Sequence, residues 1–178
     1  GISAGLQDRV AQAYEAPVFM DFDRDIMEKQ GCGVYEKLCT DNFPPFYIAY
    51  RKNLSEGTEV VHNNLRARFE IGDPRVLQAM LRWGQITVEF REALKEGSYN
   101  AMHDLMNENF DLRRKTVRIS QGNIEMVELA RSVGASAKFT GSGGEIIGTY
   151  KNEKMFTKLK DTLNSKGIEV IKPNIVNN

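Results

Sequence analysis

The stretch SAKFTGSGGEIIGTY (136–150) decides the fold. Two short runs flank Thr140-Gly141-Ser142-Gly143-Gly144, a pattern that predicts two strands joined by a glycine loop. Downstream, Met155, Phe156, Leu159 and Leu163 recur at helical spacing, Gly167 closes that helix, and IEVI (168–171) reads as a last strand. Strand–strand–helix–strand at the end, with strands earlier and helices between, specifies an α+β lobe.

Upstream of the loop, Met126, Leu129, Ala130 and Val133 mark a helix that starts after Asn123, with Gly134 as its C′ residue. Met102, Leu105, Met106 and Phe110 mark the helix before it. Asp73 and Pro74 cap and open a long helix that Gly97-Ser98 ends. Its apolar stripe is expected along Leu77, Met80, Leu81 and Val88, broadened by Trp83, Ile86, Phe90 and Leu94. Residues 58–70 look helical up to the Gly72-Asp73-Pro74 break. FPPFYIAYRK (43–52) is an aromatic-rich strand whose two prolines confine its regular part to the far end. Residues 23–42, with weak periodicity and two glycines, read as a loop carrying one helical turn. APVFMDF (16–22) alternates as a strand, and GLQDRVAQAY (5–14) sets Leu6, Val10, Ala13 and Tyr14 on one helical stripe. With no repeat, low-complexity tract or splitting linker, residues 1–178 are read as one lobe.

A chain of 178 residues with 41% hydrophobic content can bury one sizeable core. Lys+Arg and Asp+Glu are both 24, which argues against a nucleic-acid partner, because such a partner needs a clustered cationic field. No apolar run approaches the roughly 20 residues that span a bilayer, and no secretory signal opens the chain; a cytoplasmic protein without a membrane partner is expected. Cys32 and Cys39 lack metal-ligand neighbours and read as two free thiols, a disulfide between them being the alternative. The chain begins at Gly1 and goes straight into helical sequence, as a piece of a longer protein would.

Three groups of residues have functional potential. Asp8 has Gly5, Ala4, Ala11 and Gln12 as same-face helical neighbours, leaving room for a ligand whose hydroxyl it could orient; the alternative is a solvated first-turn acid that complements the helix dipole. The glycine loop can bring backbone N–H groups close to an anion, or it can simply turn a hairpin. Arg113 and Arg114 could fork onto a carboxylate or phosphate, or form a solvated helix end. His62 and His103 stand isolated, so no metal site is expected, and Met80, Met102, Met106 and Met126 read as core filler.

These stretches together resemble the GHMP kinases. GLQDRVAQAYEAPVFMDF (5–22) is similar to the segment carrying that family's catalytic aspartate, and AKFTGSGGE (137–145) to its third, glycine-rich motif. MNENFDLRR (106–114) and NIEMVELARSVGASAKFTGSGG (123–144) are similar to the glucuronokinase branch of sugar-acid kinases. Two departures are visible: Glu145 stands where a small residue is usual, and Glu15-Ala16 replaces a common Gly-Gly. The resemblance implies a ferredoxin-like C-terminal domain with additional helices, preceded in the full protein by an N-terminal ATP-binding lobe whose glycine- and serine-rich loop has no counterpart here. It implies Asp8 as the catalytic residue, with Thr140, Gly141, Ser142, Gly143 and Gly144 beside the nucleotide.

The implied reaction is ATP- and Mg²⁺-dependent phosphorylation of a sugar hydroxyl, the anomeric hydroxyl of a uronic acid such as glucuronate being the first choice. Galactose, mevalonate or phosphomevalonate as acceptor, and a non-catalytic binding module, are the alternatives. A uronate needs a cation to recognise its carboxylate, and Arg114, Arg113 and Arg9 are the candidates in that order, with Gln12 added on the aspartate's helix. The fragment alone would hold half of an active site and be inactive. An apolar surface facing the missing lobe could also drive homodimer formation.

Overall fold

The computed structural model describes residues 5–51, 65–141 and 143–175. Two compact units result, one reaching to Asn42 and taking in the chain end from Ile175, the other Phe43–Asn174. The sequence shows no composition shift at this division, which is why a single lobe was expected from it.

In the first unit, helix α1 (Leu6–Tyr14) leads into strand β1 (Val18–Asp21), helix α2 (Arg24–Gln30) and strand β2 (Val34–Lys37). The strands pair antiparallel from Val18↔Lys37 to Asp21↔Val34. Tyr35 braces them, meeting Tyr14 and Phe22 edge-on at centroid distances of 6.0 and 5.7 Å. A helix and a strand thus replace the loop expected over 23–42. RDIMEKQ is too polar and short to show a stripe, but its caps carry the signal. The Asp23 side chain accepts from the Ile26 amide, and Gly31 ends the helix at φ 72°. Glu15 ends α1 at φ 48°, the left-handed conformation that glycine adopts more cheaply.

The second unit runs β3 (Phe46–Tyr50), α3 (Pro74–Glu96), α4 (Tyr99–Thr116), α5 (Gln121–Ser132), β4 (Lys138–Phe139), β5 (Glu145–Thr149), α6 (Glu153–Asn164) and β6 (Glu169–Ile171). Residues 65–70 are helical as well; the rest of the helix expected over 58–70 and His62 lie outside the described residues. The sheet is antiparallel in the order β4-β5-β3-β6. Among the described residues, the helical segment 65–70 and three longer helices lie in the first crossover and one helix in the second, which is the β-α-β-β-α-β plan of a ferredoxin-like fold with additional helices. Tyr47, Ala49, Phe139, Ile146 and Val170 alternate onto one face and form a continuous core with Phe110, Met126, Val127, Ala130, Leu159 and Leu163.

Helix α3 starts as its sequence dictates, with Asp73 accepting from the Arg75 amide and Pro74 in the first turn, and Gly97 ends it at φ 67°. Its buried face differs in part from the expected stripe. Ile86 and Leu94 are buried as expected, but together with Val76, Ala79 and Ala93, whereas Leu77, Met80, Leu81 and Val88 are 37%, 38%, 70% and 42% exposed. The helix carries two overlapping apolar stripes, and the one with the smaller residues is inside. Helix α4 buries Met102, Leu105, Met106 and Phe110 as expected. Arg82 of α3 joins the two by a bidentate pair with Glu108 at 2.6 and 2.8 Å.

One close approach sets the sheet geometry. Tyr47 lies opposite Gly148, and its hydroxyl donates to the buried Ser136 carbonyl at 2.8 Å. A methyl group at position 148 would collide with that carbonyl and the tyrosine ring. Gly148→Ala is therefore expected to destabilise the protein by about 1–3 kcal/mol or more, the range for overpacking a closed core. Denaturant unfolding checks this, and an unchanged midpoint would contradict it.

Candidate functional site

Glycine chemistry and one buried amide hold the loop between β4 and β5. The hairpin is in register through Lys138↔Ile147 and Phe139↔Ile146. Gly143 at φ 146° and Gly144 at φ 83° occupy conformations that side-chain-bearing residues rarely adopt. Thr140 closes the mouth, its amide donating to the Glu145 carbonyl and its hydroxyl to the Glu145 carboxylate, both at 3.3 Å. That contact turns the exposed acid back along the hairpin. Ser142 lies outside the described residues.

Asn123 sits in the first turn of α5, fully buried. Its Oδ1 accepts from the Gly144 amide at 2.8 Å, and its Nδ2 donates to Ser120 Oγ at 3.1 Å. The helix begins one turn earlier than the sequence suggested, with Ser120 as its N-cap residue, so Asn123 is free to pin the loop. Sequence reasoning missed this role. The available signal was an asparagine just inside an apolar-periodic helix, where its type is disfavoured unless the side chain finds a specific partner.

Of the arginine pair at the end of α4, only Arg113 reaches the loop. Its Nη1 donates to the Gly141 carbonyl at 2.9 Å, and its guanidinium lies 5.0 Å from the Phe139 ring centroid. Burial pushes its pKa below the ordinary arginine value. Arg114 pairs with Glu128 at 2.9 Å, both side chains about half exposed, an arrangement of small energetic weight. Arg51 donates its backbone N–H to the Gly144 carbonyl at 3.3 Å and pairs with Glu125. Arg131 clasps Asp111 at 2.6 Å and also donates to the Asn107 and Ala137 carbonyls, fixing the approach to β4.

Asp8, Arg9 and Gln12 belong to the first unit and are exposed on α1. Asp8 Oδ2 accepts from the Gly5 amide at 2.9 Å, so the carboxylate caps its own helix. Cys32 and Cys39 are exposed free thiols. His103 bonds Asn107 and Thr149, at 3.2 and 3.4 Å. Among the described residues, no group of three or more His, Cys, Asp or Glu side chains could hold a metal, and no helix is long and apolar enough to cross a membrane.

Comparison with known proteins places this geometry in a family. Residues 90–169 match the family described as GHMP kinases C terminal. Glucuronokinase 1 of Arabidopsis thaliana is 43% identical over 150 residues, covering 83% of this chain and 41% of the relative. Probable glucuronokinase 2 of the same plant is 43% identical over 151 residues, with the same coverage. Residues 90–169 carry the C-terminal domain of the GHMP kinases. It spans about two fifths of the curated relatives' length.

The GHMP fold assignment holds in solved structures too. Mevalonate kinase of L. major superposes with a TM-score of 0.70 at 20% identity over 83% of this chain and 48% of that one. Streptococcus pneumoniae phosphomevalonate kinase does so with 0.71 at 16% identity over 93% and 55%.

Removing the asparagine amide should loosen the loop. In Asn123→Ala the Gly144 N–H loses its buried acceptor, at a cost of about 1–3 kcal/mol. Hydrogen exchange at the Gly144 amide should speed accordingly, and unchanged protection would refute the pinning role.

Proposed function

We propose that the protein carrying this chain transfers the γ-phosphoryl group of ATP to a sugar hydroxyl, the anomeric hydroxyl of a hexuronic acid such as glucuronate. The 43% identity to curated glucuronokinases, spread over 83% of the chain, carries this reading. The mevalonate and phosphomevalonate kinases share the fold at 16–20% identity, too little to extend their acceptors to this chain.

Phosphoryl transfer asks the protein mainly for positioning and charge stabilisation. We assign residues 1–178 to the C-terminal lobe, and ATP and Mg²⁺ mainly to an N-terminal lobe of the full protein, which lies outside this sequence. ATP supplies the transferable phosphoryl group. Thr140, Gly141, Gly143 and Gly144, with Ser142, are proposed to flank the nucleotide phosphates and the acceptor. Asp8 is proposed to orient the acceptor hydroxyl; its helix cap engages Oδ2, and Oδ1 is the atom assigned to the substrate. Arg9 and Gln12 would assist from the same helix. A cytoplasmic enzyme acting on a small sugar acid fits these assignments.

The acceptor's carboxylate requires a cation. Arg113, Arg114 and Arg9 were the candidates, and the contacts favour Arg113, which bonds the loop itself while Arg114 is paired with Glu128. In the intact kinase, Arg113→Ala is expected to raise KM for glucuronate about tenfold to a hundredfold, the weight of one charge-assisted contact, with KM for a neutral hexose little changed. Equal losses for both sugars would remove Arg113 from this role and return it to Arg114 or Arg9. Failure of the wild-type enzyme to phosphorylate any uronate would overturn the substrate assignment.

A further inference from the structure

Several arginines of the second unit are met by carboxylates. Arg68 meets Asp73, Arg82 is shared by Glu89 and Glu108, Arg51 meets Glu125, Arg114 meets Glu128 and Arg131 meets Asp111. Lys138 differs. It is partly buried, and its Nζ donates to the Phe139 carbonyl at 2.8 Å. It forms no ion pair with any carboxylate among the described residues. Phe139 turns into the core, so strand alternation puts Lys138 on the opposite face of the sheet. Its register neighbours across that face are Ile147 and then Ile48, which offer it no anion.

The environment works against the charge. Burial, and secondarily the like charge of Arg113, hold the Lys138 ammonium below its ordinary pKa. A desolvated ammonium without a counter-charge is costly, and a second cation nearby adds to the cost. Such perturbed groups concentrate where a ligand brings the missing charge. Both cations also hold main-chain oxygens at the start of the glycine loop, Lys138 that of Phe139 and Arg113 that of Gly141. The two positive heads therefore bond carbonyls two residues apart, at the end of β4 and the start of the glycine-lined turn.

We propose that Lys138 and Arg113 together receive an oxyanion of the substrate complex at the mouth of the glycine loop. The shared chemistry is a carboxylate or phosphoryl oxygen, supplied either by the sugar acid or by the nucleotide. This assignment rests on the phosphotransfer reading and adds Lys138 to its binding residues.

The test replaces Lys138 with Met, which keeps the stem and removes the charge. In the intact kinase, Lys138→Met raises KM about tenfold or more for one anionic substrate, and Lys138→Arg restores most of the loss. A rise for glucuronate with the ATP value unchanged identifies the carboxylate. A rise for ATP, the same with glucuronate or a neutral hexose as acceptor, identifies the phosphoryl group. The thermal midpoint of Lys138→Met should equal or exceed that of the wild type, because an uncompensated charge has been removed. Unchanged KM values for both substrates would overturn the proposal, and a lowered midpoint with unchanged KM would make Lys138 purely structural.

An NMR titration of this chain with glucuronate and with inorganic phosphate, followed at the Gly141 and Gly144 amides, is independent of turnover. Shifts in the wild type that vanish in Lys138→Met support the anion site even if no phosphoryl transfer is found. Identical responses in the two proteins would refute it and leave the kinase reading standing.

Discussion

A single hydrogen atom at position 148 makes the second unit possible. Because Gly148 has no side chain, the Tyr47 ring can lie across β5 and its hydroxyl can reach the Ser136 carbonyl. Burial raises the tyrosine's pKa, so the hydroxyl stays protonated and remains a donor. Ser136 in turn donates its amide to the Thr149 carbonyl, accepts the Thr149 amide on its Oγ and meets the Thr149 hydroxyl at 2.7 Å. These buried bonds fix how β5 returns beside the segment leading into β4. With the register fixed, every residue of the hairpin tip has a set position.

That tip is where the candidate site lies. Asn123 holds the Gly144 amide from the first turn of α5, and Arg113 holds the Gly141 carbonyl from the last turn of α4. The loop is therefore anchored at Gly141 and Gly144 by side chains from two helices, with Gly143 between them at a φ that side-chain-bearing residues rarely adopt. Preorganisation of this kind suits a reaction whose barrier is lowered by positioning and charge rather than by covalent chemistry. The electrostatic side agrees with this. Several arginines of the unit pair with neighbouring acids, whereas Lys138 and Arg113 are desolvated and each holds a carbonyl oxygen at the start of the loop.

The sequence made much of this plan legible because its punctuation is local. Asp73-Pro74, Gly97, Gly134 and Gly167 are chain-level signals for helix ends, and each lies within three residues of a helix terminus in the structure. The glycine loop and its flanking strands were visible for the same reason. What the sequence hid depends on tertiary contact. The buried face of α3 could not be chosen from periodicity, since Val76-Ala79-Ala93 and Leu77-Met80-Leu81 both fit a helix and only packing selects between them. Helix α2 was too polar for its pattern to show. Asn123 and Lys138 look like ordinary helix-start and strand residues until the fold brings the loop and Arg113 beside them. Arg113 and Arg114 are adjacent in the chain, but their hundred-degree separation around α4 sends one to the loop and the other to Glu128. Asp8, singled out through its family resemblance, shows a capping bond that local geometry explains by itself. Its proposed role in the reaction rests on that resemblance.

The most direct measurement is phosphorus NMR of the product formed by the intact protein from ATP and glucuronate. The account predicts a new phosphomonoester resonance split by the anomeric proton of the sugar acid, growing in step with ADP. Release of ADP and free phosphate without that resonance, or a phosphomonoester formed only with a neutral sugar or mevalonate, would contradict it.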